Sequence, residues 1–301
     1  MSTELTKNLG EDKVISKKDI SPYLTFRTKT QAEYFFEANT KEDLINAFTL
    51  CKKINIPFFL LGGGSNLAVT KEIIPGLVVK NSYQKKEIIS ENDSEVNVLI
   101  SSGYPMGRLV METVAQGWEG FEYHLGLPGT IGGGIYMNSK WTRPVSYIGD
   151  SVLYAYILDS NGHTKKVDRD YFKFAYDYSI LQDTGEIVLE IVFNLKKNTP
   201  EILKKRAHQS LAYRKETQPY GSATVGCFFQ NVDGKSAGQM IDLAGLKNKQ
   251  IGSFIVSEKH ANFIINKGEG NPADLLELLN IIKHSVKLKF GVELKEEVIV
   301  I

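Results

Sequence analysis

Two glycine-dense stretches carry the most legible chemistry in this chain: Leu61-Gly62-Gly63-Gly64-Ser65-Asn66 and Gly126-Leu127-Pro128-Gly129-Thr130-Ile131-Gly132-Gly133-Gly134. Consecutive glycines let backbone N–H groups approach a ligand closely and reach positive φ, and a diphosphate is the usual recipient of such donors. The two stretches therefore read as the walls of a dinucleotide cradle. Ser65 and Asn66 strengthen that reading, because a plain turn needs no hydroxyl and amide behind three glycines. Neither stretch contains G-x-G-x-x-G. Gly129 and Gly134 have Walker spacing, but Ile135 stands where the phosphate-binding lysine belongs, which disfavours both a Rossmann dehydrogenase and an ATPase.

Elsewhere, the planar fork of Arg214 suits a carboxylate or a phosphate, and it reads equally as a surface arginine in company with Lys204, Lys205 and Arg206. Glu297 sits in a charged run, Glu293-Leu294-Lys295-Glu296-Glu297, that by itself reads as a solvated terminus. The apolar ending Val298-Ile299-Val300-Ile301 should instead pack, which carries Glu297 toward the interior.

These residues need elements to hold them. Thr40-Lys41-Glu42-Asp43 is a variant capping box, and Leu44, Ala47, Phe48 and Cys51 follow at helical spacing, so Cys51 is a core residue. Ile56 to Leu61 reads as a short buried strand running into the first glycine loop, an α/β unit that presents the loop at its strand tip. Leu77 to Val79 and Val96 to Ile100 read as strands, and Leu109 to Gln116 as a helix behind the second loop. Val152 to Leu158, the turn Asp159-Ser160-Asn161-Gly162 and His163 to Val167 have hairpin chemistry. Ile187 to Leu195 is another strand. The polar Lys196-Lys197-Asn198-Thr199-Pro200 marks a domain boundary, followed by a basic amphipathic helix from Glu201 to Lys215. The last helix is capped by Asn271, opened by Pro272, striped with Leu275, Leu276, Leu279, Ile282 and Val286, and ended by Gly291. A final strand is expected from Val292 to Ile301.

Composition sets the outer bounds. The 301 residues carry 36 basic and 35 acidic side chains, a net charge of +1, so no global field draws the chain to nucleic acid or membrane. Met1 to Asp19 lacks the apolar stretch of a signal peptide, and no apolar run reaches the ~18 residues of a membrane span. A cytoplasmic protein is expected. The 2 cysteines are far apart and the 5 histidines show neither H-x-x-H nor H-E-x-x-H spacing, so neither a disulfide framework nor a metal is expected.

Taken together, the blocks resemble the UDP-N-acetylenolpyruvoylglucosamine reductase family. The resemblance runs from Thr25-Phe26-Arg27 through Leu61 to Leu67 and Gly120 to Gly133 with Met137-Asn138. It continues through Arg214 to Pro219, Gly226 to Asn231, Ala237 to Asp242, Gly245-Leu246-Lys247, Ser257 to Phe263 and Glu297-Val298. The short spacing between Tyr176 and Arg214 is similar to that of the family's shorter class. The resemblance implies an α+β fold: a bipartite FAD-binding module of the PCMH type (residues 1–80 and 81–197), then a smaller α/β substrate-binding domain (198–291), with 292–301 returning to the active site. It implies FAD as cofactor and NADPH as reductant, with UDP-N-acetylglucosamine enolpyruvate taking a hydride at its methylene carbon to become UDP-N-acetylmuramate in peptidoglycan precursor synthesis. A monomer that binds neither nucleic acid nor membrane is expected.

Site roles follow from the same resemblance. Gly62, Gly63, Gly64, Ser65, Asn66, Gly126, Pro128, Gly129, Thr130, Gly132, Gly133 and Asn138 would hold FAD. Tyr176, Arg214, Gln218, Asn231, Gln239, His260 and Asn262 would hold substrate, and His260 and Asn262 read equally as caps of a strand turn. Cys227 occupies the place where the family mostly carries a proton-donating serine, and a thiol of ordinary pKa, ~8.5, is mostly protonated at neutral pH and a better acid than an alcohol. Glu297 matches the acid beside the substrate carboxylate. One departure stands out. The family's Tyr-Arg-x-Ser is here Tyr176-Asp177-Tyr178-Ser179, an anion in place of a polarising cation. Either another cation such as Arg214 takes over, or Asp177 turns away, or the reaction differs. The competing readings are a flavin oxidase on a related FAD module and a non-catalytic module that binds flavin or a UDP-sugar.

Overall fold

The computed structural model describes residues 2–301. After α1 (Ser2–Leu9) and β1 (Ile15–Asp19) the chain passes through β2 (Gln31–Ala38) into α2 (Lys41–Lys53). The Thr40 hydroxyl accepts from the Asp43 N–H while the Asp43 carboxylate accepts from the Thr40 N–H, so the expected capping box forms. Leu44, Ala47, Phe48 and Cys51 bury one face of α2, and burial pushes the Cys51 thiol up to about 12. Next come β3 (Phe58–Leu61), the first glycine loop, β4 (Leu67–Ala68) and β5 (Ile73–Asn81). β3 pairs in parallel with β5, Leu61 opposite Lys80.

The hairpin β6 (Lys86–Glu91) and β7 (Glu95–Ser101) leads to α3 (Met106–Gln116), stopped by Gly117 in the left-handed conformation. β8 (Trp118–Glu119) precedes the second glycine loop and α4 (Ile131–Met137). A small hairpin, β9 (Lys140–Thr142) and β10 (Val145–Tyr147), is followed by a larger one, β11 (Val152–Leu158) and β12 (Thr164–Asp168). The Asp159 carboxylate closes the latter by accepting from the N–H groups of Asn161 and His163. After α5 (Leu181–Thr184), the long β13 (Ile187–Lys197) completes an antiparallel sheet of order β12-β11-β13-β7-β6, with β8 paired to the far end of β13.

The chain ends with α6 (Pro200–Thr217), α7 (Ala237–Leu243), the three-stranded meander β14 (Gln250–Ile251), β15 (Phe254–Val256) and β16 (Ile264–Asn266), then α8 (Pro272–Phe290) and β17 (Ile299–Val300). The Asn271 side chain accepts from the Ala273 N–H and Gly291 ends α8 as expected. The expected stripe needs one correction. Leu278 is buried, whereas Leu276 is 49% exposed, because it lies about 100° around the helix from Leu275. The expected final strand also shortens to Ile299–Val300, since the residues before it make only the single bridge Phe229↔Glu296.

Two compact units emerge, and each draws on several stretches of chain. The first comprises Met1–Ile15, Tyr34–Gly63 and Gly76–Tyr213; the second comprises Ser16–Glu33, Gly64–Pro75 and Arg214–Ile301. The division expected at residue 197 falls between Tyr213 and Arg214, within α6, and two early segments belong with the C-terminal half. The first unit has two cores, one around Leu44, Leu77 and Leu189, the other around Ile100, Leu109, Ile131 and Phe193. The second packs Phe26 and Ala68 with Phe228, Phe229, Phe254, Leu275 and Ile282. The architecture is α+β. No helix among the described residues is long and apolar enough to cross a membrane.

Candidate functional site

The two glycine loops meet backbone to backbone within the first unit. A methyl group on Gly63 would run into the Cα of Gly129, and one on Gly62 would stand 2.7 Å from the Thr130 hydroxyl oxygen. Only glycine permits that approach. The second loop is pinned from behind: Met106 N–H donates to Gly129 O (3.0 Å), Ile131 N–H to Tyr104 O (2.9 Å) and Gly132 N–H to Ser102 O (2.7 Å). Gly126 and Gly129 hold φ of +82° and +114°. Thr130 caps α4 by accepting from the Gly133 N–H, and a methyl on Gly133 would meet nothing closer than 3.7 Å. Pro128 is exposed beside them. The N–H groups of Gly62, Gly63 and Gly129 donate to no acceptor among the described residues. Free amides on backbone that tolerates no side chain fit a diphosphate-bearing cofactor.

Asn138, expected among the flavin ligands, bonds backbone at both ends of its amide. Its side chain donates to Ala175 O at 2.9 Å and accepts from Gly149 N–H at 3.3 Å, and it is buried. It ties the end of α4, where it adopts the left-handed C-cap conformation, to the turn that carries Tyr176 and Asp177.

That turn explains the departure noted in the sequence. Ala175 and Tyr178 exchange backbone hydrogen bonds, which leaves Tyr176 and Asp177 at the tip, with Asp177 at φ +51°. Asp and Asn enter the left-handed region more easily than other non-glycine residues. The Asp177 carboxylate is buried and bonds Lys140 Nζ at 2.5 Å; the same ammonium lies 3.6 Å from the centre of the Tyr176 ring. A cation is thus present at the turn, and it is Lys140. Sequence reading missed it because nothing local links Lys140, in a three-residue strand, to a turn far along the chain.

In the second unit the Cys227 segment is held by its neighbours. Phe228 N–H donates to Asn262 O (2.7 Å), and the Asn262 side chain accepts from Phe229 N–H (2.9 Å) and donates to Phe229 O (2.8 Å). Asn262 is buried and its amide is committed to the Phe229 backbone. Glu297 N–H donates to Phe228 O at 2.9 Å, which sets Glu297 beside the residue following Cys227. Asn66 joins the same cluster through its side chain to Glu297 O (3.5 Å) and through its carbonyl to Ile299 N–H (3.0 Å). Gly64, at φ +61°, accepts from both the N–H and the hydroxyl of Thr25, while Ser65 is half-buried behind it.

Arg214 belongs to a buried stripe along α6, Leu203, Ala207, Ser210 and Arg214, that turns polar at the helix end. Burial pulls its guanidinium down to about 10, partly offset by Tyr220 and Cys227, which stand near enough to act on its charge. His260 is drawn below the usual histidine range by burial, with Lys247 adding to the effect, and its ring packs edge-on to Phe263. Gln218 is half-buried after α6, Asn231 accepts from Ala237 N–H at 3.1 Å, and Asn231 and Gln239 are exposed.

Known proteins resemble the chain over nearly its whole length. Residues 32–168 match the FAD binding domain family, and residues 218–301 match the UDP-N-acetylenolpyruvoylglucosamine reductase C-terminal domain family. The UDP-N-acetylenolpyruvoylglucosamine reductase of Chlamydia trachomatis serovar L2 is 35% identical over 282 residues, 94% of either chain. That of Caldanaerobacter subterraneus subsp. tengcongensis is 34% identical over 295 residues, covering 98% of this chain and 96% of the relative. The crystal structure of UDP-N-acetylenolpyruvylglucosamine reductase from Thermus caldophilus superposes with a TM-score of 0.79 at 27% identity, covering 95% of this chain and 97% of that one. The chain belongs to the UDP-N-acetylenolpyruvoylglucosamine reductase family of flavoprotein oxidoreductases.

Proposed function

We propose that the protein reduces UDP-N-acetylglucosamine enolpyruvate to UDP-N-acetylmuramate in the cytoplasm, with FAD as cofactor and NADPH as the source of electrons. When bound, FAD carries two electrons from the nicotinamide to the methylene carbon of the enol ether. The remaining steps fall to this chain's side chains. The amides of Gly62, Gly63 and Gly129 hold the cofactor diphosphate. As the methylene carbon gains its hydride, negative charge spreads over the neighbouring carbon and its carboxylate, and a nearby cation lowers the barrier.

Lys140 supplies that charge at the Tyr176–Asp177 turn, and Arg214 supplies it in the second unit. The Cys227 thiol then gives its proton to the carbon bearing the carboxylate, and Arg214 stabilises the thiolate left behind. Glu297 orients the acid. The observation that supports this reading is that Cys227, Arg214 and Glu297 share one unit, with Glu297 bonded to the carbonyl of the residue after Cys227 and Cys227 near enough to Arg214 to act on its charge.

The test uses the purified protein loaded with FAD, under nitrogen. NADPH should bleach the yellow colour, and the enolpyruvyl nucleotide should restore it with formation of UDP-N-acetylmuramate. Bleaching without recolouring rejects the substrate, rapid recolouring by oxygen alone favours the oxidase reading, and nucleotide binding without bleaching favours a non-catalytic module.

A further inference from the structure

Beneath the first glycine loop lies a lysine that no part of the mechanism above uses. Lys80 stands near the end of β5, in register with Leu61 of β3, and its ammonium crosses to the loop and donates to the Gly62 carbonyl at 2.5 Å. Across a trans peptide the C=O and the following N–H point in opposite directions. Seating the Gly62 oxygen on Lys80 therefore aims the Gly63 N–H away from the lysine. That N–H donates to no acceptor among the described residues. The peptide is also wedged from the other side, since neither Gly62 nor Gly63 has room for a side chain against Thr130 and Gly129.

The charge itself is unusual in its placement. Lys80 is half-buried, and among the described residues no carboxylate lies within ion-pair distance of it. Burial draws its pKa below the usual lysine range, and Glu37 offsets this only at longer range. A desolvated ammonium spent on one carbonyl is a poor investment for stability alone. A dianionic ligand on the far side of the peptide changes that balance, because the lysine then polarises the Gly62–Gly63 amide and adds positive potential below the phosphates.

We propose that Lys80 is the positioning residue of the diphosphate site: by holding the Gly62 carbonyl it presents the Gly63 amide to the cofactor's phosphates. This rests on the flavin reading above. The ligand it serves is a dinucleotide through its diphosphate, not through the flavin ring, and that distinction makes the test selective. Apo-protein is titrated with FAD and, separately, with riboflavin, following flavin fluorescence.

Losing a charge-assisted hydrogen bond and the aim of one amide should weaken FAD binding of Lys80→Met by ~10- to 100-fold. Riboflavin binding should stay within about twofold of wild type, and Lys80→Arg should recover most of the FAD affinity. Where Lys80→Met lowers the melting temperature enough to confuse the titration, it is repeated at a temperature where circular dichroism shows the variant folded, and the selective loss of FAD should persist. The inference is overturned if folded Lys80→Met binds FAD within about twofold of wild type, or loses FAD and riboflavin equally. A wild-type protein that binds neither ligand overturns the flavin reading and this inference with it.

Discussion

At the scale of single residues, the proposed chemistry turns on two side chains that depart from the family pattern read in the sequence, and each makes a separable demand. Cys227 is the proposed proton donor, a thiol where the resemblance implies a hydroxyl. If its part is to deliver a proton, Cys227→Ala should leave bleaching by NADPH intact and slow the substrate half-reaction by ~10²- to 10⁴-fold, whereas Cys227→Ser should retain more of it. Stopped-flow absorbance of the flavin separates the two steps, and equal loss in both would make the thiol structural. Asp177 is the other alteration. Removing its partner with Lys140→Met strands a buried carboxylate, which should cost about 3 to 5 kcal/mol of stability, and Lys140→Met with Asp177→Asn should recover most of it. The double variant stays folded but lacks the cation, so its substrate half-reaction should remain depressed by ~10²- to 10³-fold. Restoring stability and rate together would mean that the pair only holds the turn. Asp177→Arg alone is a poor rescue, because it sets an arginine against Lys140 on left-handed backbone that costs a bulky residue ~1 to 2 kcal/mol.

At the scale of elements, the glycine loops illustrate what a sequence discloses. Their identity was legible because runs of glycine have few other uses, and so were α2 and α8, whose caps and stops are local signals. The mutual contact of the loops was not, since it depends on β3 and α4 bringing Gly63 to Gly129. Gly63→Ala tests that contact. The added methyl has only backbone to meet, so the loops must part, and the variant should purify colourless while α2 and the sheet keep its circular dichroism near wild type. Retained flavin at wild-type affinity would show that the approach of the loops is dispensable. Asn138 and Asn262 both donate to and accept from backbone through their amides, a bond pattern that the sequence does not disclose and the paired distances do.

At the scale of the whole molecule, stability should depend on acid through a few embedded carboxylates. Glu112 is held at about 2: desolvation alone would raise it, but hydrogen bonds from Lys86, Tyr104 and Arg108 outweigh that. Glu190, bonded by Lys41 and Tyr83, and Glu186, bonded by Lys165 and Tyr171, are lowered in the same way against the same opposing burial. A carboxylate whose folded pKa lies below its unfolded value of 4.5 contributes stability that is complete above 4.5 and disappears as pH falls through the folded value. Urea midpoints should accordingly hold from pH 7 to 5 and drop between pH 4.5 and about 2, and Glu190→Gln should lower the neutral plateau while flattening the decline. A decline as steep in Glu190→Gln as in wild type would remove this carboxylate from the account. The interleaving of the units was the least legible feature of all, because the polar tract at Lys196 to Pro200 signals a change of composition, and composition says nothing of which distant segment a chain will pair with.

That interleaving bears on how the polypeptide matures at the ribosome. Leu67–Ala68 pairs with Ile299–Val300, and Thr70 N–H and hydroxyl both close on the Ile301 carbonyl at 2.6 and 2.8 Å. The stretch after the first glycines, synthesised early, must therefore wait for Ile299 to Ile301 to leave the exit tunnel before its own strand has a partner. Nascent chains arrested short of Ile299 should expose that stretch to protease.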